Sequence, residues 1–149
     1  MPRSIFERQA LGELHDRLTK LTPQSERRWG KMTAPRMICH LQDSLEVALA
    51  MKPAQPKKIG MDNPVVRWLI IYVVPWPKGK AQTAPEMLVT QPSEWHADMD
   101  RLRGLLDAAS RQGASGKWGR HPSFGELSGR QYGHLIYKHF NHHLTQFGV

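Results

Sequence analysis

His139 and His143 stand four residues apart in the run HFNHHLTQFG near the end of the chain. A helix advances about 100° per residue, so four residues bring the side chains onto successive turns of one face. From there both imidazoles can reach one divalent ion at ordinary bond lengths of roughly 2.0 to 2.1 Å. The same wheel places Tyr132, Ile136, Phe140 and Phe147 on that face and Arg130, His134, Lys138, Asn141 and Thr145 on the other. Two imidazoles therefore sit in an apolar stripe. A single buried histidine is usually a hydrogen-bonded core residue, whereas a pair needs partners that an apolar interior seldom offers and a metal supplies. Eight histidines in one chain also make such pairs by chance, so the pair alone leaves both readings open.

His40 is the third candidate. It lies at the margin of an apolar arc with Met37, Ser44 and Val47, facing an interior rather than water. Three imidazoles leave at least one coordination position open, as in sites that bind water or substrate; a structural site wants four ligands. The expected metal ligands are thus His40, His139 and His143, with no residue assigned a catalytic role. His142 lies nearer the edge of the stripe and is a weaker candidate. Asp43 could orient an imidazole, but its outward wheel position favours a solvated carboxylate. Cys39, about 100° from His40, points away from the apolar arc and is assigned as neither nucleophile nor ligand. His121, before Pro122, is expected to anchor its loop by a hydrogen bond, and Trp29, Trp95 and Trp118 to pack. No Ser-His-Asp order, glycine-rich phosphate loop, HExxH or paired carboxylate is argued.

Helices must carry these residues. Ser4 and Glu7 form an S-x-x-E capping box ahead of Phe6, Ala10, Leu11, Leu14, Leu18 and Leu21, a first amphipathic helix ending near Thr22-Pro23. Thr33 is an N-cap with Pro35 in the first turn of a second helix, which stops before Pro53. The stretch from Pro64 to Val74 has β-branched content but no partner of similar character in the chain, so a short helix is expected. Residues 75 to 92, with four prolines and two lysines, read as a long irregular loop. Ser93 then caps a strong helix ending near Gln112-Gly113, with Trp95, Met99, Leu102, Leu105, Leu106 and Ala109 inside. Ser128 and Gln131 form a second capping box, and the last helix runs to about Phe147. The order suits an all-α antiparallel four-helix bundle with an additional short helix and a long loop.

Composition bounds the rest. The chain has 149 residues, 40% hydrophobic and 23% charged, which suits one globular domain over residues 1–149. Twenty-one Lys and Arg against thirteen Asp and Glu give +8, but with no run of five or more basic residues and no interleaved aromatics a solvated surface is favoured over a nucleic-acid footprint. One cysteine excludes an internal disulfide, and the charged N-terminal residues lack the apolar core of a signal peptide, so the cytoplasm is expected. The apolar run from Trp68 to Pro77 is about half what a membrane span requires.

The runs WGKMTAPRMICHL at 29 to 41 and HPSFGELSGRQYGHLIYKHFNHHLTQFG at 121 to 148 resemble the DinB-like superfamily, in particular its uncharacterised branch whose last helix ends in HHxxQFG. The two runs cover about a third of the chain. The resemblance implies a four-helix bundle, often a homodimer, holding a divalent ion on one histidine of the second helix and two from an HxxxH on the last. These map to His40, His139 and His143. It further implies a metal-dependent hydrolase or a transferase using a low-molecular-weight thiol, acting on a small-molecule substrate, with zinc or nickel first among the ions. The alternative is a non-enzymatic bundle that binds a small molecule or partner protein, and electrostatic binding to nucleic acid ranks third.

Overall fold

Proline has no amide hydrogen to donate, and the first turn of a helix needs none, so Pro35 marks a start rather than a break. In the computed structural model, which describes residues 2–79 and 84–149, helix α2 (Ala34–Ala48) begins there, and the Thr33 hydroxyl accepts the Arg36 amide at 3.4 Å. It stops by a left-handed residue, Ala50 at φ 59°, which lets the Met51 amide reach back to the Glu46 carbonyl at 2.8 Å. The tail is clamped by Gly119, whose amide donates to the Ala48 carbonyl at 2.8 Å. A Cβ there would lie 2.3 Å from the Val47 carbonyl oxygen, so only glycine permits the approach.

Helix α1 (Arg8–Thr19) starts later than its capping box suggested. Glu7 does accept the Ser4 amide at 3.0 Å, but the Ser4 hydroxyl takes the Phe6 amide, so the pair closes a turn ahead of the helix and Glu7 becomes the cap residue. The stretch after Pro64 is helical as expected, though of two kinds. A short α3 (Pro64–Trp68), capped by the Asn63 side chain, continues into a π-helical turn over Leu69–Val73. Of the irregular loop, residues 80–83 lie outside the described residues. The remainder includes a 3₁₀ turn at Pro85–Met87. Helix α4 (Trp95–Gln112) is capped by the Glu94 carboxylate rather than by Ser93, which instead bonds Asp98 through its amide and its hydroxyl. Helix α5 (Gly129–Gln146) opens with the full Ser128–Gln131 capping box.

The chain is all-α. Among the described residues there is no strand, only an isolated bridge between His121 and Gly125. No helix of the described residues is long and apolar enough to cross a membrane. Helix α2 packs against α4, α5 and the 3₁₀ turn, and α1 against α5. The core joins Leu14 and Leu18, Met37, Leu41 and Leu45, Leu102 and Leu106, and Tyr132 and Phe140.

With neighbours on several sides, α2 is buried around nearly its whole circumference, which corrects two expectations. Cys39 is only 1% exposed, and burial pushes its thiol up to about 11, so it stays protonated. Asp43 is not a solvated carboxylate: it is fully buried, bonded to the Lys52 ammonium at 2.6 Å and the Thr90 amide at 2.9 Å, and makes no hydrogen bond to an imidazole. Burial alone would raise its pKa; those hydrogen bonds, with the Thr90 hydroxyl and the charge of Lys52, outweigh it and hold it below the usual range. Glu46 is likewise buried, between Lys52 and Arg101. A helical wheel marks such residues as outward because it cannot register partners that arrive from elsewhere in the chain.

Candidate metal centre

Where α2 and α5 touch, the capping box has set the phase of α5 so that His139 and His143 turn toward His40. The three rings form a nearly equilateral triangle, with centroids 4.8, 4.8 and 4.9 Å apart. One nitrogen from each can be chosen so that all three lie within 4.8 Å of one another. The residues singled out by type and spacing are brought together across 99 positions of sequence.

Hydrogen bonds decide which nitrogens are free. His40 Nδ1 lies 2.9 Å from the Met87 carbonyl, which can only accept, so Nδ1 carries the proton and Nε2 keeps its lone pair. That Nε2 stands 2.8 Å from His139 Nε2. On His143, Nδ1 lies 2.8 Å from Gln146 Oε1, and the amide is oriented by its nitrogen, which donates to the Trp29 carbonyl at 2.9 Å. His143 Nε2 is therefore free as well. Without a cation, the His40–His139 contact requires a proton on His139 Nε2; with one, both lone pairs can face it.

Electrostatics favour the ligating form. Burial lowers the pKa of His40, and it lowers that of His139 well below the ordinary value, helped by the neighbouring imidazoles. His143 is pushed down to about 3, again mainly by burial. All three are neutral at physiological pH, the state in which an imidazole binds metal. Three neutral imidazoles, two of them fixed in tautomer by an outer hydrogen bond, could hold a divalent metal ion.

The triad lies in the wall of a cavity of about 910 Å³. Trp29, Trp76, Phe124, Leu135 and Phe140 supply much of its apolar lining. Trp76 is seated by its indole N–H on the Ile70 carbonyl at 3.1 Å, and Lys138 ties down the same turn through the Ile70 and Val74 carbonyls, each at 2.6 Å. The Trp76 ring comes 5.8 Å from that of His139. His142 stays outside the triad, half-buried, with Trp29 and Trp76 each 5.7 Å away. His121 anchors its loop as expected: Nδ1 accepts the Ser123 and Phe124 amides at 3.0 and 3.1 Å, while the ring also lines the cavity. Trp95 and Trp118 pack against the core.

Comparison with known proteins turns on one match: a family described as protein of unknown function (DUF1569), whose model matches residues 3–148. The chain belongs to the DUF1569 family. The match spans every element that builds the triad and the cavity. No curated protein and no solved structure matches the chain.

In this DUF1569 member, three contributors to the site escaped sequence reasoning. Gln146, three residues after His143 and so on the same side of α5, is only 5% exposed and holds the His143 tautomer. That spacing was a readable signal. The Met87 carbonyl and the seating of Trp76 had no such signal, because backbone groups and loop paths leave no mark in residue type.

Proposed function

We propose that this DUF1569 chain is a metal-dependent enzyme acting on a small molecule, with one divalent ion, zinc or nickel, held by His40, His139 and His143. The observation that carries the reading is the approach of three neutral imidazoles from two helices in the wall of a large, mainly apolar cavity. Cavities of roughly 300 to 1,000 Å³ accommodate small ligands. An ion held there supplies Lewis acidity, lowering the pKa of a water or thiol toward neutrality. The chain's own residues do the rest. The Met87 carbonyl and Gln146 keep Nε2 of His40 and His143 available, and Trp76 and Phe140 give the site an apolar wall.

The packing of α2 on α4 and α5 and of α1 on α5 supports reading the chain as a single DinB-like four-helix domain, and the resemblance to that superfamily suggests hydrolysis or thiol transfer as the reaction. The test is elemental analysis of freshly purified protein together with zinc and nickel titration. One ion per chain, lost in a His139→Ala, His143→Ala variant that still folds, is the expected result; no bound metal and none taken up on titration overturns it. The size of the apolar cavity favours one second reading, a non-enzymatic small-molecule binder. A double variant that keeps its ligand would select that reading.

A further inference from the structure

The chain has thirteen carboxylates, and none of them lines the cavity. Four acids adjoin cavity residues in sequence: Asp62 is exposed, Glu46 is paired with Lys52 and Arg101, and Asp43 and Glu86 have partners of their own. Asp43 is bound to Lys52 and Thr90, and Glu86 accepts the Gln55 amide at 3.0 Å. Among the described residues the fixed charges in the lining are Lys31 and Lys78, both exposed at its edge. Among the described residues neither forms an ion pair. Lys78 is held over the Trp29 ring, its ammonium 4.8 Å from the centroid. From there an aromatic path leads inward: Trp29 to His142 at 5.7 Å, then His142 to His143 at 5.2 Å.

Much of the polar surface within is spent. Gln146 is bound at both ends, and the Tyr132 hydroxyl donates to the Gly119 carbonyl at 2.7 Å. What such a space offers a ligand is contact with Met32, Ile70, Phe124, Leu135 and Phe140 and positive charge at its rim. An uncharged polar molecule would find few partners beyond the unpaired Trp29 indole N–H and the free imidazole nitrogens, and a cation would meet like charges.

We infer that the cavity takes an apolar molecule bearing one negative group, its body against the aromatic wall and its charge held at the mouth by Lys31 and Lys78. This assigns a ligand class to the site proposed above, and it rests on that site being where the ligand is used. The selecting lysines, however, act without the metal. Each exposed lysine contributes at most about a fivefold gain in affinity, and salt screens it.

Calorimetry on the full chain, with and without zinc, would compare decanoate, decanol and decyltrimethylammonium. In EDTA-treated protein decanoate binds at least a few-fold tighter than decanol, and the cation binds weakest. A Lys31→Ala, Lys78→Ala variant brings decanoate to the level of decanol, leaving decanol unchanged. High salt has the same effect on the unmodified chain. Equal affinity for decanoate and decanol, tighter binding of the cation, or no binding of any of the three overturns the inference. So does a preference for decanoate that survives in the lysine variant or appears only with zinc, since the charge is then held elsewhere. Zinc uptake in the same samples separates the two readings. Stoichiometric zinc without anion preference sinks this inference alone, and anion preference without zinc sinks the metal reading alone.

Discussion

Three histidines of the cavity, His40, His121 and His143, are defined by the partners of their Nδ1 atoms. On His143 the partner is Gln146, so Gln146→Ala frees the ring and its tautomer while leaving all three imidazoles in place. Loss of such an outer partner typically costs about 10- to 100-fold in metal affinity, and a chelator competition titration should show a fall of that size. His121 makes the second residue-scale prediction. Its Nδ1 accepts two amides, and burial pushes its pKa down to about 4 from 6.5. A depressed histidine pKa means the unfolded chain binds the proton more readily, so stability is full above about 6.5 and is lost as pH falls toward about 4. Between pH 7.5 and pH 5 the loss from this group is about 2 kcal/mol. Urea unfolding of the metal-free protein checks it. His121→Asn, whose Oδ1 can accept the same amides without titrating, should lose correspondingly less over that range. At this scale the sequence was most legible: residue type and four-residue spacing were enough to choose His40, His139 and His143, whereas Asp43 and Cys39 were misread because their partners are remote.

Elements hold the triad by how they end. The tail of α2 closes on a left-handed Ala50 and is clamped by Gly119, so two small substitutions should act in opposite directions. Ala50→Gly removes the left-handed penalty and stabilises by up to about 1 kcal/mol. Gly119→Ala drives a Cβ against the Val47 carbonyl and destabilises by about 1 to 3 kcal/mol. Urea midpoints of the two variants, displaced to opposite sides of the parent, verify the clamp. Helix α5 was legible down to its cap because Ser128, Gln131 and the apolar stripe all agree. The start of α1 was misplaced, since Ser4 and Glu7 satisfy each other in a turn as well as they would in a helix. The π turn left no trace in periodicity: five residues are too few to separate its repeat from that of an α-helix.

At the scale of the whole molecule, the triad joins the second helix to the last, so an ion bound there bridges distant parts of the chain and is bound by the folded state alone. Zinc at about a hundred times its dissociation constant should add about 2.7 kcal/mol of stability. Thermal scans would show a melting point raised by zinc, restored by EDTA, and insensitive to zinc in His40→Ala. The all-α class was readable from helical spacing in the long helices and, between Pro64 and Val74, from the lack of any partner for a strand. The cavity was not, because a void records where side chains fail to meet. Its roof depends on the π turn, which holds one residue more than an α-turn of equal length and closes on the Val74 amide and the Leu69 carbonyl at 2.8 Å. That surplus is slack: shortening Leu69–Val73 by one residue would let the backbone tighten to an ordinary helix with its ends nearly in place. The segment that follows would keep its phase, so Trp76 would stay against His139 and the chamber would keep its wall.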